Sequence, residues 1–304
     1  MKQRDLPSMR AESSRTLWGD AWYRLRANKL AILALVWIAI IVTVTLSADL
    51  WVPQHFGNPA VVDSATAMRT KLQTPSWEHP MGTDDFGRDI FGRVIYGARI
   101  SLAVGVLAVG FTVIIGLILG ALSGFYGGWI DAVIMRICDV LFAFPPILFA
   151  ILLLAVIPPE QRATIWPIVL TIGVLGWPTI ARVFRSSIIS VKQEDYVEAG
   201  RALGASDARL MLRHIMPNAI APVIAYSAMS VGGAILAEAA LSFLGLGVRS
   251  PAITWGQMIE EGGGLITSNP SLVLWPGIAI VTTVLAFTLI GDGIRDALDV
   301  KMEH

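Results

Sequence analysis

Very little in this chain is equipped for chemistry. It has one cysteine, Cys138, and four histidines, His55, His79, His214 and His304, among 304 residues. A lone cysteine excludes an intrachain disulfide, and in its apolar run it reads as a packing residue. No Gly-Lys-Ser/Thr sequence occurs, so the chain has no P-loop to cradle ATP phosphates. His-Glu-x-x-His, Gly-x-Ser-x-Gly and paired-cysteine patterns are absent as well. The histidines are scattered, and Asp84, Asp85 and Asp89 do not have the spacing of a calcium loop, so neither a metal nor a cofactor is expected here. Charge is scarce and balanced: 23 Lys and Arg against 23 Asp and Glu, 15% of the residues. That balance lacks the basic surplus of a nucleic-acid partner. The basic N-terminus is not followed by a short apolar core with a small-residue cleavage site, so the first apolar run is read as a retained helix.

What the chain has in quantity is apolar length. Hydrophobic residues make up 55% of it, and several runs approach the roughly 20 residues that cross a bilayer as a helix. The expected class is an all-α membrane protein with six spans, near residues 30–48, 100–122, 132–157, 163–181, 218–245 and 272–290. Residues 1–29 carry seven Lys and Arg, with Leu17, Trp18, Trp22 and Leu25 at helical spacing, and are expected to form a cytoplasmic interfacial helix. Residues 30–97 hold the first span and an irregular, proline-containing external loop that can be structured. Residues 98–292 are the transmembrane core, and 293–304 a polar cytoplasmic tail. This arrangement puts sixteen of the Lys and Arg inside and seven outside, the sign expected from the retention of basic residues in the cytoplasm. Both termini are therefore expected on the cytoplasmic side.

Two features mark the spans. Gly116, Gly120 and Gly124 form one helical stripe where a second helix can approach closely. The third span carries Arg136 and Asp139, three apart and able to pair, near its cytoplasmic end. Pro145-Pro146 in its middle should break or kink it.

The segment DYVEAGRALGASDARLMLRHIMPN, residues 195–218, is the longest polar stretch between the apolar runs of the second half. It reads as two short helices and a corner. Tyr196, Ala199 and Leu203 share one face; Gly204 can end the first helix in the left-handed conformation; Ser206 can cap the second, which stops at Pro217. Leu210, Leu212 and Ile215 are its apolar positions. The register of Glu198, Ala199, Gly204 and Pro217 resembles the Glu-Ala-Ala loop of ABC-importer permeases, with Gly200 in place of the second Ala, His214 in place of Ile and Met216 in place of Leu. A second run, GTDDFGRD followed by YGARISL, resembles one of the two permease types of dipeptide, oligopeptide and nickel importers. YGGWIDAVIMRICDVLFAFP, EAALSFLGLGVRSPAITWG and GDGIRDALD fit the same type in the same order.

The resemblance implies a type I ABC-importer permease fold with a coupling loop at 186–217, in a bacterial or archaeal cytoplasmic membrane. It implies a second, different permease, two cytoplasmic ATPase subunits or domains that hold ATP and Mg, an external solute-binding protein, and no catalysis by this chain. Within it, Asp195, Tyr196, Glu198, Ala199, Gly200, Gly204 and Pro217 are the ATPase-coupling residues, with Tyr196 packing into the ATPase cleft. Short peptides are the expected cargo, with nickel chelates or another small solute as the alternative. An ion-coupled secondary transporter would show an inverted repeat with paired midplane acids. Glu238 stands alone, and no convergent polar set within the spans suggests a membrane-embedded enzyme.

Overall fold

The computed structural model describes residues 17–57, 69–248 and 251–298. The basic stretch before Leu17, residues 58–68 of the segment after the first span, and the last six residues lie outside them. Helix α1 (Leu17–Ala27) precedes α2 (Lys29–Phe56), and Asn28 caps the junction by accepting from the Ala31 amide at 3.1 Å. The next long helix, α3 (Ile90–Tyr126), is capped by Asp89, whose carboxylate accepts from the Gly92 amide at 2.7 Å. Then follow α4 (Gly128–Ala143), α5 (Pro146–Val156), a 3₁₀ turn (Pro159–Ala163) and α6 (Trp166–Lys192). The segment after α6 holds α7 (Asp195–Ala202), α8 (Asp207–Leu210), a π-helical turn (Met211–Ile215) and α9 (Met216–Ala219). Three helices complete the chain: α10 (Ala221–Phe243), α11 (Trp255–Gly263) and α12 (Ser271–Leu298).

Five of these helices, α2, α3, α6, α10 and α12, are each long and apolar enough to cross a membrane, and α4 with α5 make a sixth candidate bent by 90°. Packing decides whether that bent pair crosses. A Cβ added at Gly116 would lie 2.4 Å from Ile180, at Gly120 2.7 Å from the Ala181 carbonyl, and at Gly124 2.9 Å from Ile188. The contacts climb together along both helices, so α3 and α6 run parallel. Parallel neighbours need a connection that returns the chain to the starting end, and α4–α5 is that connection. It is therefore a broken span and not a hairpin dipping in and out of one face. The break falls at Pro145-Pro146: Pro145 has no amide hydrogen, Pro146 opens the new helix at a position that tolerates proline, and Phe144 is extended.

The other extensive helix contacts are antiparallel. Gly105 of α3 faces Ile235 of α10, Gly232 of α10 faces Val284 of α12, and Gly293 near the end of α12 faces Ala31 at the start of α2. One end of the bundle, termed basal, thus carries the first and last described residues and the segment between α6 and α10. The other end, termed apical, carries α11 and residues 70–89. These last are pinned to the start of α3 by the Ile90 amide on the Gly82 carbonyl (3.1 Å) and by His79 Nδ1 against Asp89 Oδ2 (2.9 Å).

Four boundaries differ from those expected. Helix α6 runs to Lys192, past the expected end near residue 181 and into the expected loop at 186–217, because Phe184 and Ile188 keep its buried face in register. Helix α2 continues past residue 48 because Val52 and Phe56 keep the helical register and pack on Ile95, Phe91 and Gly92. Helix α3 starts ten residues before residue 100, since a capping carboxylate outweighs Gly92 and Gly97. The expected tail at 293–304 is helical as far as Leu298, with Gly291 and Gly293 seated against Met229 and Ala31.

Candidate functional site: the basal segment between α6 and α10

Helix α7 is ended by Gly204, whose φ of 82° places it in the left-handed region. The Ala205 amide donates to the Gly200 carbonyl (3.1 Å) and the Gly204 amide to the Arg201 carbonyl (3.0 Å), the two bonds of a Schellman C-cap. Ser206 occupies the N-cap position of the next helix, but its hydroxyl makes no capping bond. The second helix does not stop at Pro217. Proline stands within the first two positions of α9, where its missing amide hydrogen costs nothing, and the chain runs on into α10. The irregularity lies earlier, in the π turn, where the Met216 amide reaches back five residues to the Met211 carbonyl.

The apolar side chains divide between two faces. Val197, Leu210 and Ile215 are fully buried against Phe125, Phe184 and Ile188 at the basal ends of α3 and α6. The stripe recognised in the sequence, Tyr196, Ala199 and Leu203, points the other way: Tyr196 is 47% exposed and Leu203 89%. Leu212, an apolar position of the second helix, joins them at 66%. Asp195 and Glu198 are exposed on the same short helix. Gly200 is half-buried and turned inward; a Cβ there would lie 3.0 Å from Leu210, so its small size serves the packing of α7 on the second helix. The Tyr196 phenol is held above its ordinary pKa by partial burial and then by the neighbouring Glu194 charge, while Asn218 acts in the opposite direction.

Ion pairs hold the helix ends on which this segment sits. Arg185 of α6 grips Asp131 of α4 with two bonds of 2.6 Å, and the Ser123 hydroxyl also donates to Asp131. Lys192 donates to the Phe125 carbonyl at 2.5 Å and lies over the Phe125 ring. The pairing expected between Arg136 and Asp139 does not form. Asp139 takes Arg182 of α6 at 2.5 Å instead, and exposed Arg136 forms no ion pair among the described residues. A neighbouring helix presents its guanidinium head-on, whereas two side chains one turn apart on the same helix must bend toward each other. Sequence spacing revealed only the local partner; Asp131–Arg185, 54 residues apart, left no periodic signal.

Among the described residues, no group of three His, Cys, Asp or Glu could hold a metal. The segment offers exposed apolar side chains on a face seated firmly on the bundle.

Such a bundle, with apolar spans and one two-helix segment at its basal end, defines a polytopic membrane protein. The comparisons give the family. Residues 116–304 match the model for the binding-protein-dependent transport system inner membrane component, and residues 16–70 that for the N-terminal transmembrane domain of oligopeptide transport permease C. The chain belongs to this family of ABC-importer permeases. It is 42% identical over 286 residues to the dipeptide transport system permease protein DppC of Alkalihalophilus pseudofirmus, covering 94% of this chain and 90% of that one. It is 39% identical over 292 residues to the oligopeptide permease OppC of Bacillus subtilis (96% and 92% covered). It is 38% identical over 298 residues to the glutathione permease GsiD of Pectobacterium atrosepticum (98% and 96% covered). Inward-facing methionine ABC transporter MetNI shares the fold, with a TM-score of 0.55 at 20% identity over 68% of this chain and 96% of that one. The protein is a multi-pass inner-membrane permease, and its family acts in transport.

Proposed function

We propose that this chain is one of two different permeases in an importer for short peptides, and that its basal segment seats on cytoplasmic ATPase subunits. The observation that carries the reading is the open apolar face of Tyr196, Leu203 and Leu212, displayed by a segment whose other face is locked into the bundle. A surface of that kind suits a protein partner that excludes water from it. The basal end would then be cytoplasmic, which puts both termini there, in agreement with the basic-residue count. ATP and Mg would be held by the partner ATPases, which move the basal segment as they close. An external solute-binding protein would deliver cargo at the apical end, and lipid would surround the spans. The cargo path would run between this chain and its partner, lined in part by α5 and α10. A cavity of about 270 Å³ lies where they meet α6, bordered by Pro146, Ala150, Leu175 and Leu241.

Similarity to dipeptide and oligopeptide permeases supports peptides as cargo. Similarity to glutathione permeases at nearly the same identity supports glutathione as a second reading. The test is a pull-down of the tagged chain from gently solubilised membranes, with mass spectrometry and an ATPase assay. A second permease recovered with active ATPase subunits is the expected result. A homo-oligomer without ATPase would overturn the reading. Competition of uptake by a dipeptide, a longer peptide or glutathione then ranks the cargo.

A further inference from the structure

Glu238 is the one acid within α10, and it is completely buried. Among the described residues it forms no ion pair. Its carboxyl is served by hydroxyls: Ser101 of α3 at 3.2 Å and Ser242, one turn further along α10, at 2.7 Å. The Ser101 oxygen in turn accepts from the Trp255 amide at the start of α11, at 3.2 Å. The Trp255 indole donates to the Val94 carbonyl of α3 at 2.8 Å, and a Cβ on Gly256 would lie 2.6 Å from Ala239 of α10. One carboxyl therefore fastens three elements, α3, α10 and α11. Pure packing would not select it, because a buried acid loses more solvation than an apolar side chain of the same size.

The far end of α11 is fastened just as firmly, to the apical segment. Both oxygens of Glu261 are engaged: Oε2 accepts from Arg88 and from Arg93, each at 2.8 Å, and Oε1 accepts from Gln257 at 2.9 Å. Arg88 belongs to residues 70–89 and also grips Asp84 at 2.6 Å. Helix α11 is thus a strut with one foot on the apical segment, through Arg88, and the other on α10, both feet also touching α3 through Arg93 and Ser101. Helix α10 is a 23-residue rod whose opposite end follows directly from α9 and the basal segment.

We propose that α11 carries displacements between the apical segment and the basal segment, with Glu261 and Glu238 as the positioning residues at its two feet and α10 as the rod across the membrane. The path is a continuous chain of hydrogen-bonded and covalently joined rigid elements, as a mechanical coupling requires. It competes with a direct route along α3, whose Asp89 cap also touches the apical segment. The inference rests on the reading of the basal segment as the ATPase seat.

The test uses the assembled importer in lipid nanodiscs. Trp77 is fully exposed at the apical end and Cys138 is buried, so Trp77→Cys gives a site for an environment-sensitive maleimide, with the unsubstituted complex as control. Fluorescence is compared with and without Mg-ATP and vanadate. Because coupling between sites is reciprocal, a nucleotide event at the basal end must report at position 77 if the strut transmits. The expected result is a shift in the labelled parent that falls about fivefold or more in both Glu261→Gln and Glu238→Gln, with ATP hydrolysis kept at the parent's rate. Should Glu238→Gln fail to assemble, Ser101→Ala takes its place, because that hydroxyl joins Glu238 to the Trp255 amide. An undiminished shift in either anchor variant overturns the strut and leaves α3 as the route. A parent that hydrolyses ATP without any shift overturns it too. A complex that hydrolyses no ATP fails at the earlier step and sinks the ATPase-seat reading itself.

Discussion

At the scale of single residues, Gly204 is the position where geometry leaves least freedom. Its φ of 82° is open to glycine and costs other residues about 1–2 kcal/mol, more when they are β-branched. Gly204→Val is expected to leave the protein inserted but to lower the amount of solute taken up per ATP hydrolysed, measured in proteoliposomes; an unchanged ratio would remove this corner from the coupling machinery. The corner glycine was legible because its role is local. Ion-pair partners were not, as Asp139 shows: its guanidinium comes from Arg182, on another helix and far along the chain. Arg136→Leu should accordingly shift stability by no more than about 0.5 kcal/mol. Arg185→Leu should lower it by about 1 kcal/mol or more, because it strips two bonds from half-buried Asp131. Thermal unfolding of the two purified variants makes the comparison, and equal midpoints would contradict it.

At the scale of elements, the glycine stripe on α3 determines how closely α6 can lie. Gly120→Val adds atoms where even a Cβ would be 2.7 Å from a carbonyl oxygen, so overpacking should cost about 1–3 kcal/mol. Gly110→Ala on the same helix meets nothing within 4 Å and should gain up to about 1 kcal/mol. Opposite shifts in unfolding temperature are the expected pair of outcomes; a stable Gly120→Val would mean that the helices can part. The stripe was readable from a four-residue repeat, and the spans from their apolar length. Helix ends were harder. Asp89 starts α3 well outside the apolar run, in a stretch whose glycines read as loop, and the Pro145-Pro146 break gave its position but not its 90° angle.

At the scale of the whole molecule, the parallel α3–α6 pair and the antiparallel pairs α3–α10, α10–α12 and α12–α2 place the first and last described residues and the basal segment at one end. If that end is cytoplasmic, a cysteine at position 203 is shielded from an impermeant maleimide in intact cells and one at position 77 reacts; the reverse pattern would invert the topology. The class and family followed from the order of motifs along the chain. The division of Tyr196, Leu203 and Leu212 from Val197, Leu210 and Ile215 required the fold, because helical spacing defines a face without saying which way it looks. Spacing alone assigns Leu212 to neither face, because the π turn breaks the helical period there.

That turn also keeps a phase. Each residue of an α-helix advances the chain by about 100°, and the π turn absorbs one residue more than an α turn within a single revolution. Removing a single residue from Met211–Ile215 would let the stretch relax to α geometry while the segment before it holds nearly its present bearing. The same deletion within regular α10 would swing Leu203 and Tyr196 by roughly a quarter revolution about the helix axis. The bearing of the basal surface thus tolerates a lost residue at one place along that axis and is turned by it elsewhere.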